Sequence, residues 1–147
     1  MSKLLENVDL GKKDGSFTKA DVALNGKIVA FYFSASWCPP CRLFTPILKD
    51  FYEEVGNDDF EVVFVSSDRS NENLLEYMRK SHGDWFFVDV DNLKNEFLRK
   101  KYHVNSIPKL VIAKADGTVI TEEGRGEIMA SKTAPAALLR KWKQAGH

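Results

Sequence analysis

Cys38 and Cys41 are the only cysteines in this 147-residue chain, and two prolines separate them. A cysteine attacks as the thiolate, so chemistry at this pair depends on surroundings that favour the ionised form. Two intervening residues allow one sulfur to reach the other across a helical turn, so dithiol and disulfide forms can interconvert. The first turn of a helix also stabilises a thiolate, because its unpaired N–H groups and the helix dipole are positive there. The pair is therefore a candidate redox centre.

The two cysteines are expected to have different roles. Cys38 comes first, nearer to the exposed loop, and is the candidate nucleophile, whereas Cys41 lies one turn into the helix as the resolving thiol. Pro39 and Pro40 remove two backbone donors and stiffen the turn between them. Two other interpretations stay open: an inert buried pair, and half of a metal site shared with a partner chain. Two cysteines are too few for a disulfide framework or a four-ligand zinc site, so we predict no bound metal or cofactor beyond a redox-active Cys38–Cys41 disulfide.

Three consecutive segments must position this pair. Residues 28–33 are continuous, apolar and short, which is typical of a strand covered on both faces. Apolar residues then recur every three or four positions from 43 to 55, which predicts a helix that ends at Gly56 and is kinked by Pro46. Residues 61–66 repeat the buried-strand pattern, so the three segments predict a βαβ unit with parallel strands. The cysteines then lie where the first strand gives way to the helix.

The remainder of the chain predicts an α/β domain. The expected elements are helices at 71–80, 92–102 and 134–144, an extended segment at 85–88, and strands at 109–113 and 118–121. Asp116–Gly117 between the last two strands indicates a hairpin. Leu93, Phe97 and Leu98 are assigned to the buried side of their helix. We expect residues 1–147 to form one domain, with 1–26 as an N-terminal extension packed on the sheet and a candidate edge strand.

Composition and charge exclude several classes of function. The 21 basic and 21 acidic side chains cancel, so the chain lacks the basic footprint of a nucleic-acid-binding domain. No apolar run approaches the roughly 20 residues of a membrane helix. The first nine residues lack the apolar core and cleavage site of a secretory signal, which favours the cytoplasm and, second, the nucleus. We expect a monomer that contacts neither nucleic acid nor membrane.

Beyond the cysteines, the chain resembles the thioredoxin-fold family. Pro46 follows Cys38 by eight residues, where that family kinks its active-site helix, and residues 106–108 (Ser-Ile-Pro) precede a late strand as the family's cis-proline loop does. The resemblance implies a central mixed β-sheet flanked by helices on both faces. It also implies that the bond before Pro108 is cis and lies against the dithiol, with the Ile107 backbone presented to a substrate strand.

Within that family, the chain is similar to the tryparedoxin and nucleoredoxin group. Residues 32–42 (YFSASWCPPCR) carry most of this similarity, and 44–46, 65–70 and 124–125 extend it. The resemblance implies that Trp37 is an exposed contact platform. It also implies that Ile107 and Arg125 help to hold a glutathione-like co-substrate, although the glutamates next to Arg125 would offset its charge.

Some positions depart from the wider family or leave a role open. Thioredoxins place a buried Asp where this chain has Tyr32, so another group must assist proton transfer. Asp68 is our candidate, because it follows the second strand at its carboxyl end, where α/β sites gather. The alternatives are that Asp68 caps the next helix or pairs with Arg69. Arg42 either stabilises the thiolate or an acidic substrate, or is a solvated helix residue.

These residues are compatible with three functions. A thiol–disulfide oxidoreductase would reduce protein or small-molecule disulfides, and an external reductase or low-molecular-weight thiol would regenerate the dithiol, since the chain has no Gly-x-Gly-x-x-Gly nucleotide motif. A nucleoredoxin-like binding module would instead use the dithiol as a redox sensor that regulates a signalling partner. A peroxidase is disfavoured, because Cys38 lacks the Pro-x-x-x-Thr/Ser-x-x-Cys context of peroxiredoxins. We predict the first, a protein-disulfide reductase.

Overall fold

The strands of the domain form one mixed sheet. The structure is a computed structural model that describes residues 4–145. The strands in this part of the chain are β1 (Asp9–Gly11), β2 (Phe17–Lys19), β3 (Ile28–Ser34), β4 (Phe60–Ser66), β5 (Phe86–Val88), β6 (Lys109–Ala113) and β7 (Val119–Thr121). Their order across the sheet is β2-β1-β5-β4-β3-β6-β7. The two longest strands, β3 and β4, lie near the middle, so both are covered on each face.

Helices connect the strands and cover both faces of the sheet. They are α1 (Ala20–Ala23), α2 (Pro39–Val55), α3 (Asn71–Ser81), α4 (Leu93–Lys101), α5 (Gly124–Ala130) and α6 (Pro135–Ala145). Helices α2, α3, α5 and α6 contribute to the core on one face, and α1 and α4 contribute to the core on the other. None of the helices in residues 4–145 has the length and apolar character needed to cross a membrane.

Strand pairing confirms the predicted βαβ unit. Strands β3 and β4 are parallel, with Tyr32 opposite Phe64, and β5 continues the parallel set beside β4. On its other side β3 pairs antiparallel with β6, so Tyr32 also lies opposite Leu110. Alternation along β3 places Tyr32 in the α2 core and Phe31 in the opposite core. Strand β3, which leads to Cys38, therefore has a strand on either side and a core on each face.

The predicted hairpin and N-terminal edge strand are also present. Strands β6 and β7 are antiparallel, and Gly117 in their turn has a φ of +92°, which L side chains rarely adopt. The backbone N–H of Lys114 donates to the Thr118 carbonyl at 2.8 Å and closes the turn. At the opposite edge, β1 pairs with β5 through Gly11 and Phe87, and β2 forms the outermost strand.

Two side chains that the sequence assigns to the buried side of α4 are exposed instead. Leu93 is 87% exposed and Phe97 is 45% exposed, whereas Leu98 is buried as predicted. The buried stripe of this short helix is narrow and consists of Leu98 and Asn95, whose Nδ2 donates to the Ser66 carbonyl at 2.9 Å. The ring of Phe97 is covered by the Lys94 ammonium, 4.5 Å from the ring centroid, rather than by the core.

Candidate active site

The cysteine pair lies at the N-terminus of α2, as the sequence predicts. Cys38 is the N-cap residue, and its Sγ accepts a hydrogen bond from the Cys41 backbone N–H at 3.4 Å. Pro39 and Pro40 occupy the next two positions, where an N–H would have no helical partner, so their missing donors cost nothing. The two cysteines form a disulfide, with Cα atoms 5.2 Å apart. When it is reduced, the same N–H and the helix dipole face a Cys38 thiolate.

The two sulfurs differ in access, although both side chains are buried. Cys38 is 5% exposed and Cys41 is fully buried, so Cys38 is the more accessible of the two sulfurs. Trp37 beside them is 60% exposed, in agreement with its predicted role as a surface platform. Its indole N–H donates to the Ser67 carbonyl at 3.4 Å, which orients the ring. A substrate that approaches Cys38 would therefore meet the exposed Trp37 ring beside it.

The loop before β6 lies against the disulfide. The Ile107–Pro108 peptide bond is cis, as predicted. The Ile107 carbonyl oxygen is 3.8 Å from Cys38 Sγ, and the Ile107 side chain packs against Ala35 and the two cysteines. The backbone of this loop is thus at the position where an extended substrate segment would pair beside the reactive sulfur.

Tyr32 occupies a fully buried position below Cys41. Its hydroxyl is 2.6 Å from Thr45 Oγ1 and 3.3 Å from the Cys41 carbonyl oxygen. Burial, followed by the neighbouring Tyr77, raises the pKa of Tyr32 far above its usual range. Tyr32 is therefore a neutral hydrogen-bond donor at physiological pH, and it does not replace the carboxylate base of thioredoxins.

Asp68 holds the segment that leads into the cysteine motif. It is 7% exposed and accepts hydrogen bonds from Ser36 N at 3.0 Å, Ser36 Oγ at 2.5 Å and Ser66 Oγ at 2.6 Å. The N-cap of α3 is Ser70, so the alternative in which Asp68 caps that helix is wrong. The side-chain partners of Asp68 are serines rather than Arg69. The carboxylate ties the end of β4 to the loop after β3, one residue before Trp37.

Comparison with known proteins identifies the family. The family model described as Thioredoxin-like matches residues 25–119, a range that includes the cysteine pair and the cis-proline loop. The chain belongs to the thioredoxin-like family. This membership confirms the thioredoxin fold that the sequence predicts, with its mixed seven-stranded sheet and helices on both faces.

Relatives within the family include the predicted groups. A Danio rerio nucleoredoxin is 40% identical over 115 residues, which are 76% of this chain but only 27% of that protein. The crystal structure of a thioredoxin from Wuchereria bancrofti is 52% identical, with a TM-score of 0.82 over 96% of this chain and 97% of that one. Tryparedoxin II complexed with glutathionylspermidine is 38% identical, with a TM-score of 0.81 over 90% of this chain and 92% of that one. The similarity to tryparedoxins and nucleoredoxins is thus confirmed.

Arg42 and Arg125, the two basic residues singled out from the sequence, are both exposed. Arg42 lies on the exposed side of the first turn of α2. Arg125 is exposed at the start of α5 and lines an open groove together with Pro108 and Met129. Glu122 in the same groove forms an ion pair with Lys109 at 3.2 Å. One of the two glutamates expected to offset the charge of Arg125 is therefore paired with Lys109 instead. No cluster of metal-binding side chains occurs among residues 4–145.

Sequence reasoning missed three polar residues that support the site. Ser36 carries two of the hydrogen bonds to Asp68, and Thr45 and Tyr77 form a buried pair of hydroxyls behind Cys41, 2.7 Å apart. The signal for Thr45 is a polar residue within the apolar stripe of α2, between Phe44 and Leu48. Tyr77 gives no local signal, because its partners are more than 30 residues away along the chain.

Proposed function

We propose that the protein is a thiol–disulfide oxidoreductase that reduces disulfide bonds in protein substrates. The observation that carries this proposal is Cys38 Sγ at the N-cap of α2, hydrogen-bonded by Cys41 N–H and flanked by the cis-proline loop. Membership of the thioredoxin-like family supports the chemistry. The exposed ring of Trp37 and the open backbone of the loop before β6 support a polypeptide substrate.

Each cysteine carries out one step of the proposed reduction of a substrate disulfide. The Cys38 thiolate attacks a substrate sulfur, the substrate S–S bond breaks, and one substrate thiolate leaves with the electron pair. The Cys41 thiolate then attacks Cys38 Sγ, which breaks the mixed disulfide and releases the second substrate thiolate. Each leaving thiolate takes a proton from water, and the protein ends as the Cys38–Cys41 disulfide. Two electrons have passed from the protein to the substrate.

The cycle requires a partner that returns two electrons. We propose an external reductase or a low-molecular-weight thiol of the glutathione type, for which Ile107, Pro108 and Arg125 would form the contact surface and Arg42 a second basic contact. A related structure contains tryparedoxin II with glutathionylspermidine, which supports a thiol of this class. The reducing direction fits a compartment that keeps thiols reduced, such as the cytoplasm or nucleus. We propose that the chain acts as one domain and as a monomer.

The proposal is tested by reduction of insulin with NADPH and either thioredoxin reductase or glutathione plus glutathione reductase. We expect wild-type protein to turn over with at least one donor system. The Cys38→Ser variant should lose activity because no nucleophile remains. The Cys41→Ser variant should stop after one attack and accumulate a mixed disulfide, visible by non-reducing electrophoresis and mass spectrometry.

Two results would contradict this function. Full turnover by Cys41→Ser would rule out the two-cysteine cycle. No turnover with either donor, from protein whose two thiols titrate normally, would exclude a general disulfide reductase and favour a redox-dependent binding module.

A further inference from the structure

A chain of buried hydroxyl groups ends at the carbonyl of Cys41. Ser34 Oγ is 2.8 Å from the Tyr77 hydroxyl, which is 2.7 Å from Thr45 Oγ1, and Thr45 Oγ1 is 2.9 Å from the Cys41 carbonyl oxygen. Ser34 and Thr45 are fully buried and Tyr77 is 4% exposed. We call Ser34, Tyr77 and Thr45 the hydroxyl chain. It connects β3, α3 and α2 directly behind the resolving cysteine.

The number of protons fixes the direction of these hydrogen bonds. A carbonyl only accepts, and Thr45 Oγ1 lies closer to Cys41 O, at 2.9 Å, than the Tyr32 hydroxyl does, at 3.3 Å, so Thr45 uses its single proton on Cys41 O. The Tyr77 hydroxyl must then donate to Thr45, and Ser34 must donate to Tyr77. The Tyr32 hydroxyl, 2.6 Å from Thr45 Oγ1, must likewise donate its single proton to Thr45. All of the hydroxyl dipoles therefore point their positive ends toward the carbonyl oxygen of Cys41.

Aligned hydroxyl dipoles in a dry environment reinforce one another and act more strongly than they would in water. Their positive end meets the first turn of α2, where the helix dipole has the same sign. A negative charge that forms on Cys41 is thereby stabilised. The chain also ties this turn of α2 to α3 and β3, which fixes Cys41 relative to Cys38.

We propose that Tyr77 is a positioning residue for the resolving step, because it aligns the hydroxyl chain that stabilises the Cys41 thiolate. This inference rests on the proposed oxidoreductase function and gives the neutral hydroxyls an electrostatic role, distinct from proton transfer by the buried carboxylate of thioredoxins. The chain takes no proton itself, because every hydroxyl in it already donates toward Cys41. Cys41 loses its proton before it attacks Cys38 Sγ, either to water or to a carrier such as Asp68, and the departing thiolate carries the electron pair of the broken S–S bond.

The two chemical steps can be timed separately with the chromogenic disulfide dithiobisnitrobenzoate. Attack by Cys38 on this probe releases one aryl thiolate in a phase whose rate depends on probe concentration. Attack by Cys41 on the mixed disulfide releases the second aryl thiolate at a rate independent of probe concentration. Stopped-flow absorbance of the reduced protein at several pH values gives both rates and the pH midpoint of each.

Tyr77→Phe is expected to slow the second phase about fivefold, the rate equivalent of one net hydrogen bond, and to move its pH midpoint upward. The first phase should be unchanged. Tyr52→Phe is the matched control, since Tyr52 is a buried tyrosine on α2 whose hydroxyl donates to the Asp84 carbonyl at 3.4 Å, outside the chain. It should leave both phases as in the wild type, whatever its effect on stability.

Ser34→Ala is the second variant, because it removes the first donor of the chain and leaves the Tyr77 ring in place. It should shift the second phase in the same direction by a smaller factor. A second phase with the wild-type rate and pH midpoint in both variants would overturn the role of Tyr77. Equal slowing of both phases, with no change of midpoint, would also overturn it and indicate general loosening of the site. A wild-type protein that releases both aryl thiolates but fails to reduce insulin would contradict only the proposed function.

Discussion

Asp68 is a carboxylate that joins the end of β4 to the loop after β3 at the active-site end of the sheet. Its three hydrogen bonds come from Ser36 N, Ser36 Oγ and Ser66 Oγ. An Asp68→Asn substitution places an NH₂ group where one of these donors needs an acceptor. Hydrogen bonds to a buried charged group contribute about 1.5–3 kcal/mol each, so we expect the free energy of unfolding to fall by about 2 kcal/mol. Urea denaturation of the oxidised protein measures this change.

Comparison with Ser36→Ala separates anchoring by Asp68 from proton transfer. Ser36→Ala removes one anchoring bond and leaves the carboxylate. If both variants are destabilised but only Asp68→Asn slows disulfide reduction and alters its pH profile, Asp68 transfers a proton. Equal slowing by both variants would show that Asp68 acts only by holding the loop. Unchanged stability in Asp68→Asn would contradict the anchoring role itself.

At the residue scale, the sequence predicts the parts of the site whose signals are local. Cys38, Cys41 and Trp37 lie within five positions, and the elements before and after them follow from simple apolar patterns. Pro108 is predicted only through the family resemblance, since nothing in its neighbours places it beside Cys38, 70 positions earlier. The buried position of Tyr77 in the middle of the hydroxyl chain depends on how α3 packs on the sheet, and no local sequence pattern predicts that packing.

At the element scale, the predicted and the missed segments differ in how they gain stability. Strands β3, β4 and β6 are apolar runs and are predicted correctly, whereas β1 and the edge strand β2 are three-residue strands stabilised by pairing. Helix α5 is missed because it begins with Gly124-Arg-Gly126, and glycine is a weak helix former. Tertiary packing stabilises α5 instead, because Ile128 is buried in the core. A Cβ on Gly124 would lie 2.9 Å from the Leu110 carbonyl oxygen. Glycine permits this close approach of α5 to β6.

Strand β4 also buries a carboxyl group far from the cysteines. Glu61 is 1% exposed; its Oε1 accepts from Val62 N at 3.0 Å, and its Oε2 is 4.0 Å from Lys27 Nζ. Burial raises the pKa of Glu61 above its ordinary value of 4.5, against the opposing effects of Val62 and Lys27. The folded protein therefore holds this proton more tightly than the unfolded chain does. Stability falls as the pH rises from 4.5 through the raised value.

Glu61→Gln should therefore stabilise the protein near neutral pH, because it keeps an acceptor for Val62 and removes the cost of a buried charge. The advantage over wild type should grow with pH above 4.5 and become constant at higher pH. Urea denaturation across this range measures it. Glu53→Gln, on the exposed side of α2, is the control and should change stability little at any pH. A Glu61→Gln variant less stable than wild type at neutral pH would show that the Lys27 pair outweighs burial.

At the scale of the whole molecule, His82 couples folding to pH through the core of the α2 face. It is 1% exposed, and its Nδ1 accepts from Trp85 Nε1 at 2.9 Å, while Phe64 and Tyr77 pack on its ring with centroids 4.4 Å away. Its Nε2 has no hydrogen-bond partner among the described residues. Burial, with a smaller contribution from Lys13, lowers the pKa of His82 from 6.5 to about 3.

A histidine that stays neutral in the folded state makes the protein sensitive to acid. As the pH falls below 6.5, the histidine is protonated in the unfolded chain but stays neutral in the folded protein until about pH 3. The free energy of unfolding therefore declines through this window. The contribution from His82 amounts to about 2 kcal/mol lost between pH 7 and pH 5. His82→Asn removes the titrating group and leaves an oxygen near the position that accepts from Trp85. We expect His82→Asn to be less stable than wild type at pH 7, because it loses ring packing, but to lose about 2 kcal/mol less on acidification to pH 5.

The change in stability with pH, rather than stability itself, is therefore the quantity to compare. His103→Asn is the matched control, since His103 is exposed and its φ of +52° suits asparagine. Urea denaturation at pH 7, 6 and 5 should give a curve for His103→Asn parallel to wild type and a flatter curve for His82→Asn. If the curves for His82→Asn and wild type are parallel, His82 takes up its proton in the folded core over the same pH range as in the unfolded chain. The acid sensitivity then comes from groups other than His82.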